Sequence, residues 1–171
     1  MSADLDFENL VKLYYRDLYR FGLSLTGSEA DAADLTQETF YIWASKGHQL
    51  EKAASVKAWL FTTLHRKFLK TCRRRNRFSN ESIDEHWEDL PNVPAACAEQ
   101  VDSQTLLRML AEIAEDFRAP LVLYYMEDLS YKEIADVLAL PLGTVQSRIA
   151  RAKIQLFRRL SEANLPLDRT K

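Results

Sequence analysis

The stretch LSYKEIADVLALPLGTVQSRIARAK, residues 129–153, decides the fold. Leu129 to Leu138 reads as a short helix, with Ser130 as its cap and Glu133 three residues later, the capping-box spacing. Ala139-Leu140-Pro141-Leu142-Gly143 reads as a turn, and Thr144 is the expected cap of a second helix starting at Val145. Two helices joined by a short Gly-containing turn describe the DNA-reading helix-turn-helix. At about 3.6 residues per turn, Val145, Ile149, Ala152, Leu156 and Leu160 line one side as core. Ser147, Arg148, Arg151, Gln155 and Arg158 share the other side, with Gln146 at its edge. From Leu140 to Leu160 there are five Lys/Arg and no acid. A major groove demands that polarity: cations for phosphates, and Arg, Gln or Ser for base edges. A generic helical hairpin is the competing reading.

Working outward, two more helices are expected before this motif, at about 102–114 and 118–126, and the second helix of the motif extends over about 144–161. Upstream lies SNESIDEHWEDLPNVPAACAEQ, residues 79–100, with six acids, no Lys or Arg, and Pro91 and Pro94. It lacks a sustained helical period and reads as an acidic linker. Residues 1–78 carry 13 Lys/Arg against nine acids, and residues 101–171 carry ten of each. The net charge of −2 therefore conceals a basic unit, an acidic connector and a mixed unit. The expected architecture is all-α: a helical domain at 1–78, a flexible linker at 79–100 and a helix-turn-helix domain at 101–171.

The N-terminal unit reads as three helices. The first covers about 7–26 and ends near Gly27. The second begins at Ser28, where Ser28-Glu29-Ala30-Asp31 fits a capping box, and ends before Gly47. On it, Ala32, Ala33, Leu35, Thr36, Thr39, Phe40, Ile42 and Trp43 form a broad, largely apolar arc. Asp34, Gln37, Glu38 and Tyr41 fall on the remaining stripe, spaced i, i+3, i+4, i+7. A polar, partly acidic stripe on a basic unit suits protein docking better than DNA; an ordinary solvent face is the alternative.

The third helix, about 55–77, sets Leu60, Phe61, Leu64, Phe68 and Cys72 on an apolar face. Opposite lie Trp59, Thr63, Arg66, Lys70 and Arg73, with Arg74 beside them. An aromatic among cations suits unstacked bases: the ring stacks while the cations hold phosphates. Packing of Trp59 on another helix is the alternative. The run Arg73-Arg74-Arg75-Asn76-Arg77 adds phosphate neutralisation.

Composition excludes other classes. Hydrophobic residues make up 47% and charged residues 28%, which argues against wholesale disorder. No apolar run reaches membrane-spanning length and the N-terminus has no signal-peptide pattern, so the expected location is the cytoplasm without membrane insertion. Cys72 and Cys97 have no CxxC spacing, and His48, His65 and His86 are scattered. They read as structural cysteines and surface histidines, with no metal or other cofactor. No nucleophile–base pair, P-loop or carboxylate cluster points to an enzyme or a catalytic residue.

With these pieces in order, the chain resembles the extracytoplasmic-function (ECF) sigma factors of the sigma-70 family. The carriers are DAADLTQETF (31–40), AWLFTTLHRKFLKTCRRR (58–75) and the segment 129–153. The resemblance implies that Asp34, Gln37 and Glu38 dock on the clamp helices of the largest subunit of core RNA polymerase, with the flap as a second polymerase contact. It implies that Trp59 sits at the upstream edge of the melted minus-ten element, with Arg66, Lys70, Arg73 and Arg74 along the strand. Gln146, Ser147, Arg148 and Arg151 would read the minus-thirty-five element of promoter DNA, with Thr144 near a phosphate. The linker would thread towards the RNA exit channel.

The chain departs from the family pattern twice. Arg66-Lys67 stands where Arg-Asn is frequent, which bears on minus-ten preference. Gln146 stands where Lys or Arg often precedes the Ser, and Gln can bond adenine bidentately, so one minus-thirty-five position is expected to change. No further C-terminal domain is expected. Each unit alone would bind weakly, and mounting both on polymerase makes the second contact intramolecular. Free of polymerase, the units are expected to collapse on each other or to be covered by an anti-sigma protein. A stand-alone regulator using only the helix-turn-helix is the competing class; it leaves the 34/37/38 stripe and Trp59 without a role.

Overall fold

A computed structural model describes residues 7–46, 56–75 and 103–163. Every regular element among them is a helix: α1 (Phe7–Thr26), α2 (Glu29–Lys46), α3 (Val56–Arg75), α4 (Ser103–Ala111), α5 (Glu115–Tyr125), α6 (Tyr131–Leu138) and α7 (Leu142–Glu162). The expected linker, the end of the third helix at Asn76-Arg77, and His48, His86 and Cys97 lie outside the described residues.

α1 and α2 form an antiparallel hairpin. Gly27 turns the chain at φ 66°, a left-handed conformation that costs glycine little. Its N–H closes on the Leu23 carbonyl at 2.9 Å. Ser28 then accepts from the Asp31 N–H at 3.3 Å, so the expected cap forms. The arc read on α2 is the packed one: Ala32, Leu35, Thr36, Thr39, Phe40 and Trp43 are buried. The two buried threonines donate to the carbonyls one turn back, Ala32 and Leu35, so no hydroxyl is stranded. α3 lays Leu60, Phe61, Leu64 and Phe68 into this hairpin, and the Phe61 ring meets Phe21 of α1 at 5.4 Å.

In the second unit, α4 stops at Ala111 and α5 starts at Glu115, three residues earlier than the periodicity predicts. Glu115 and Asp116 in the first turn favour that early start through the helix dipole. The helix-turn-helix begins as read. Ser130 accepts from the Glu133 N–H at 3.3 Å, and its own N–H donates to the Glu133 carboxylate at 2.8 Å. The turn differs from the reading. Ala139, not Gly143, takes the left-handed position, at φ 54°. α7 begins at Leu142, with Pro141 as its N-cap and the Pro141 carbonyl accepting from Val145 at 3.1 Å. Thr144 is therefore inside the helix and does not cap it. Proline suits a helix entry because its φ is preset and no N–H is needed there.

The apolar sets of the two units merge into one core. α1 packs on α4 and α5, and α3 packs on α6. In this structure the helices of the two units therefore pack directly on each other.

Candidate nucleic-acid and protein interfaces

Three surfaces carry the candidate residues. On α2, Asp34, Gln37, Glu38 and Tyr41 are all exposed, and Tyr41 presents 73% of its surface. A large aromatic left open among polar neighbours marks a contact surface better than a solvated stripe does.

On α3, Arg66, Lys70, Arg73 and Arg74 are exposed and Thr63 is half-buried. Trp59 follows the alternative of packing on another helix, and Lys67, which the wheel did not place, has a partner on α2. Trp59 is half-buried, with its ring edge-on to Trp43 at 5.2 Å. Trp43, near the end of α2, thus meets Trp59, near the start of α3. One part of the indole is thereby fixed and the rest stays open. Lys67 ion-pairs with Glu38 across the α2–α3 contact. The exposed α2 stripe and the basic side of α3 therefore meet at that pair.

On α7, Val145, Ile149, Ala152 and Leu160 are buried and Leu156 is half-buried. Gln146 and Arg158 are exposed, while Thr144, Ser147, Arg148, Arg151 and Gln155 are half-buried. The Ser147 hydroxyl donates back to the Thr144 carbonyl at 3.0 Å. Arg148 Nη1 lies 3.3 Å from the Asp116 carboxylate and 3.5 Å from the Asp116 carbonyl. Pro120, inside α5, explains the carbonyl contact: with no N–H at that position, Asp116 loses its partner one turn on and its oxygen is free to accept. Lys153 projects over the rings of Tyr124 and Tyr125, 5.8 and 5.2 Å from their centroids.

Sequence reasoning missed the groups between the units. His65 is buried rather than a surface histidine: its ring lies 6.5 Å from that of Phe21 of α1, and its Nε2 lies 3.0 Å from Glu115 Oε1. Glu127, 2% exposed, receives Arg20 Nε at 3.0 Å on its carboxylate and Lys57 Nζ at 2.7 Å on its carbonyl. Burial pushes the Glu127 carboxyl up from 4.5 to about 7, against the lowering pull of Arg20. Arg118 donates to Leu25 O of α1 and to Ala111 O of α4, each at 2.9 Å. The charges themselves are visible in the sequence, but a wheel places residues on one helix and cannot say which second helix will cover them. Pro120 after the acidic turn was the one local sign that a carbonyl would seek an outside donor.

No group of three or more His, Cys, Asp or Glu able to hold a metal occurs among the described residues. No helix there is long and apolar enough to cross a membrane.

A basic, aromatic-bearing helix and a helix-turn-helix on one all-α frame define a two-unit nucleic-acid-binding protein. Residues 10–78 match the model of sigma-70 region 2, and residues 103–156 match that of sigma-70 region 4. The chain is 36% identical over 91% of its length to the ECF RNA polymerase sigma factor SigE of Mycolicibacterium smegmatis, of which it spans 62%. It is 31% identical to SigL of Mycobacterium tuberculosis, over 77% of this chain and 76% of that protein. Its fold matches the sigma factor RpoE of Bartonella quintana, solved in complex with the anti-sigma factor NepR, at a TM-score of 0.73. That match has 29% identity and covers 93% of this chain and 98% of that one. The chain belongs to the ECF sigma factors of the sigma-70 family.

Proposed function

We propose that the chain is an alternative sigma factor that binds core RNA polymerase, recognises particular promoters and starts transcription in the cytoplasm, under control of an anti-sigma protein. The observation that carries this is one exposed α2 stripe beside a basic α3 and a helix-turn-helix, on a fold shared over nearly the whole chain with a sigma factor. Residues 1–78 form the polymerase and minus-ten domain, 79–100 the linker and 101–171 the minus-thirty-five domain. Asp34, Gln37, Glu38 and Tyr41 dock on the polymerase. Trp59, Thr63, Arg66, Lys67, Lys70, Arg73 and Arg74 hold the melted strand. Thr144, Gln146, Ser147, Arg148, Arg151 and Gln155 face the minus-thirty-five duplex. The work is recognition and strand separation, with no covalent step.

Trp59 supports the strand assignment in a particular way. A ring braced edge-on by Trp43 is pre-organised, so a base can stack without first ordering the side chain. Trp59→Ala is expected to reduce promoter opening by roughly 5- to 150-fold, the equivalent of about 1–3 kcal/mol for one stacked base. Run-off transcription with core polymerase, paired with permanganate reactivity of the melted strand, reads both steps. Transcripts that depend on the chain support the reading. Duplex binding by the chain alone, with no chain-dependent transcript, favours the stand-alone regulator instead.

A further inference from the structure

The contacts between the two units are polar as well as apolar, and they converge on one residue. Glu127 sits in the bend between α5 and α6 with its side chain 1% exposed. From α1, Arg20 reaches it twice: Nε to the carboxylate at 3.0 Å, and Nη2 to the neighbouring Met126 carbonyl at 2.7 Å. From α3, Lys57 holds the Glu127 carbonyl at 2.7 Å. Further along α3, His65 meets Glu115 at 3.0 Å. Beside that pair lies a cleft of about 150 Å³ whose walls include His65 and Leu69 of α3, Asp116 of α5 and Arg148 of α7. Arg148 of the groove-facing helix, tied to Asp116 within the second unit, thus forms one wall of the cleft whose opposite wall is α3.

We propose that Glu127, clasped by Arg20 and Lys57, is the catch of a built-in latch that closes the second unit against α3 and keeps Arg148 in the cleft. The closed chain withholds one of its own DNA-facing arginines without any second protein. The proposal rests on the assignment of Arg148 to the DNA-facing helix. Its test needs neither polymerase nor promoter, so the latch and the promoter reading fail separately.

The latch is poised rather than locked. Glu127 Oε2 has no hydrogen-bond partner among the described residues. A buried pair whose desolvation offsets much of its attraction specifies an arrangement more than it stabilises one. The groups facing the carboxyl are Asp17 and Arg20 of α1 and Lys57 of α3. Together with burial they leave its pKa at about 7, above the 4.5 of an open carboxyl. The closed form therefore holds the Glu127 proton more tightly than an open form does. This contribution to closure is full below about 4.5 and is lost as pH rises through about 7.

The test compares the full chain with Arg20→Glu and Glu127→Gln by small-angle scattering and by phenylglyoxal modification of Arg148 read by mass spectrometry, with Arg158 as the exposed reference. Circular dichroism checks that the helices persist. Arg20→Glu sets two carboxylates against each other. It is expected to shift the closed–open balance by on the order of 100-fold, expanding the particle and raising Arg148 modification by about tenfold or more. Wild type is expected to expand between about pH 5 and about pH 8, while Glu127→Gln, which keeps the shape and an acceptor for Arg20, stays compact throughout. Unchanged scattering and Arg148 reactivity in a folded Arg20→Glu overturn the proposal. So does a wild-type pH response that Glu127→Gln leaves intact; if Arg20→Glu loses its helices, that comparison decides alone.

Discussion

Arg118→Ala is expected to lower unfolding stability by about 3–5 kcal/mol. The guanidinium is buried and holds three carbonyls: Leu25 of α1 at 2.9 Å, and Ala111 and Leu110 of α4 at 2.9 and 3.3 Å. All three lie at helix ends; Leu110 O also accepts from the Ile113 N–H at 3.1 Å, so Leu25 O and Ala111 O are the ones that depend most on Arg118. Removing the donor strands them away from water, and an unsatisfied buried acceptor costs about 1–3 kcal/mol. Arg118→Lys recovers only part of the loss, because one ammonium cannot span two helix ends as a planar fork does. Urea unfolding followed by circular dichroism measures the change. A loss below about 1 kcal/mol means that solvent or a neighbour satisfies those carbonyls.

Phe61→Ala is the second large effect, also about 3–5 kcal/mol. Phe61 is fully buried, and its ring contacts Phe21 at 5.4 Å. Truncation forfeits the transfer energy of the ring and leaves a void that three crossing helices cannot close. Thr62→Ala, on the same turn but half-buried, is the control and is expected to stay within about 0.5 kcal/mol of wild type. Equal losses in the two variants contradict the packing described here.

These effects separate what the sequence shows from what it hides. The helix count, the hairpin at Gly27, the packed arc of α2 and the Ser130 capping box all follow from local rules acting within one or two turns, and local rules are legible in order. The exposed stripe of Asp34, Gln37, Glu38 and Tyr41 was legible for the same reason: it is what remains when the arc is buried. The start of α7 differs from the sequence reading, which ends the turn at Gly143 and caps the helix with Thr144. Ala139 took the left-handed position, and Pro141 fixed the helix entry. Trp59 was assigned to an open face because one wheel cannot show that α2 returns beside it. The partners of His65, Arg118 and Glu127 depend on which helices of the two units face each other, and the tether of Arg148 on how α5 and α7 pack within the second unit. That choice is set by packing across about 100 residues of chain, Arg20 to Glu127 being 107 apart, and no local period encodes it.

The most direct test of the sigma-factor assignment is run-off transcription with purified bacterial core polymerase, comparing the wild-type chain with Asp34→Ala/Gln37→Ala. Both residues are exposed and on the surface of α2, so the double variant should fold normally. Losing two contacts at a protein interface, at about 1–2 kcal/mol each, should weaken polymerase binding and promoter-specific transcript by roughly 30- to 1000-fold at limiting chain concentration. Wild-type transcript that needs the chain and falls in this variant is the expected result. Transcript of wild-type strength from the variant, with undiminished polymerase binding, would contradict docking through α2 and with it the division of labour proposed for the chain.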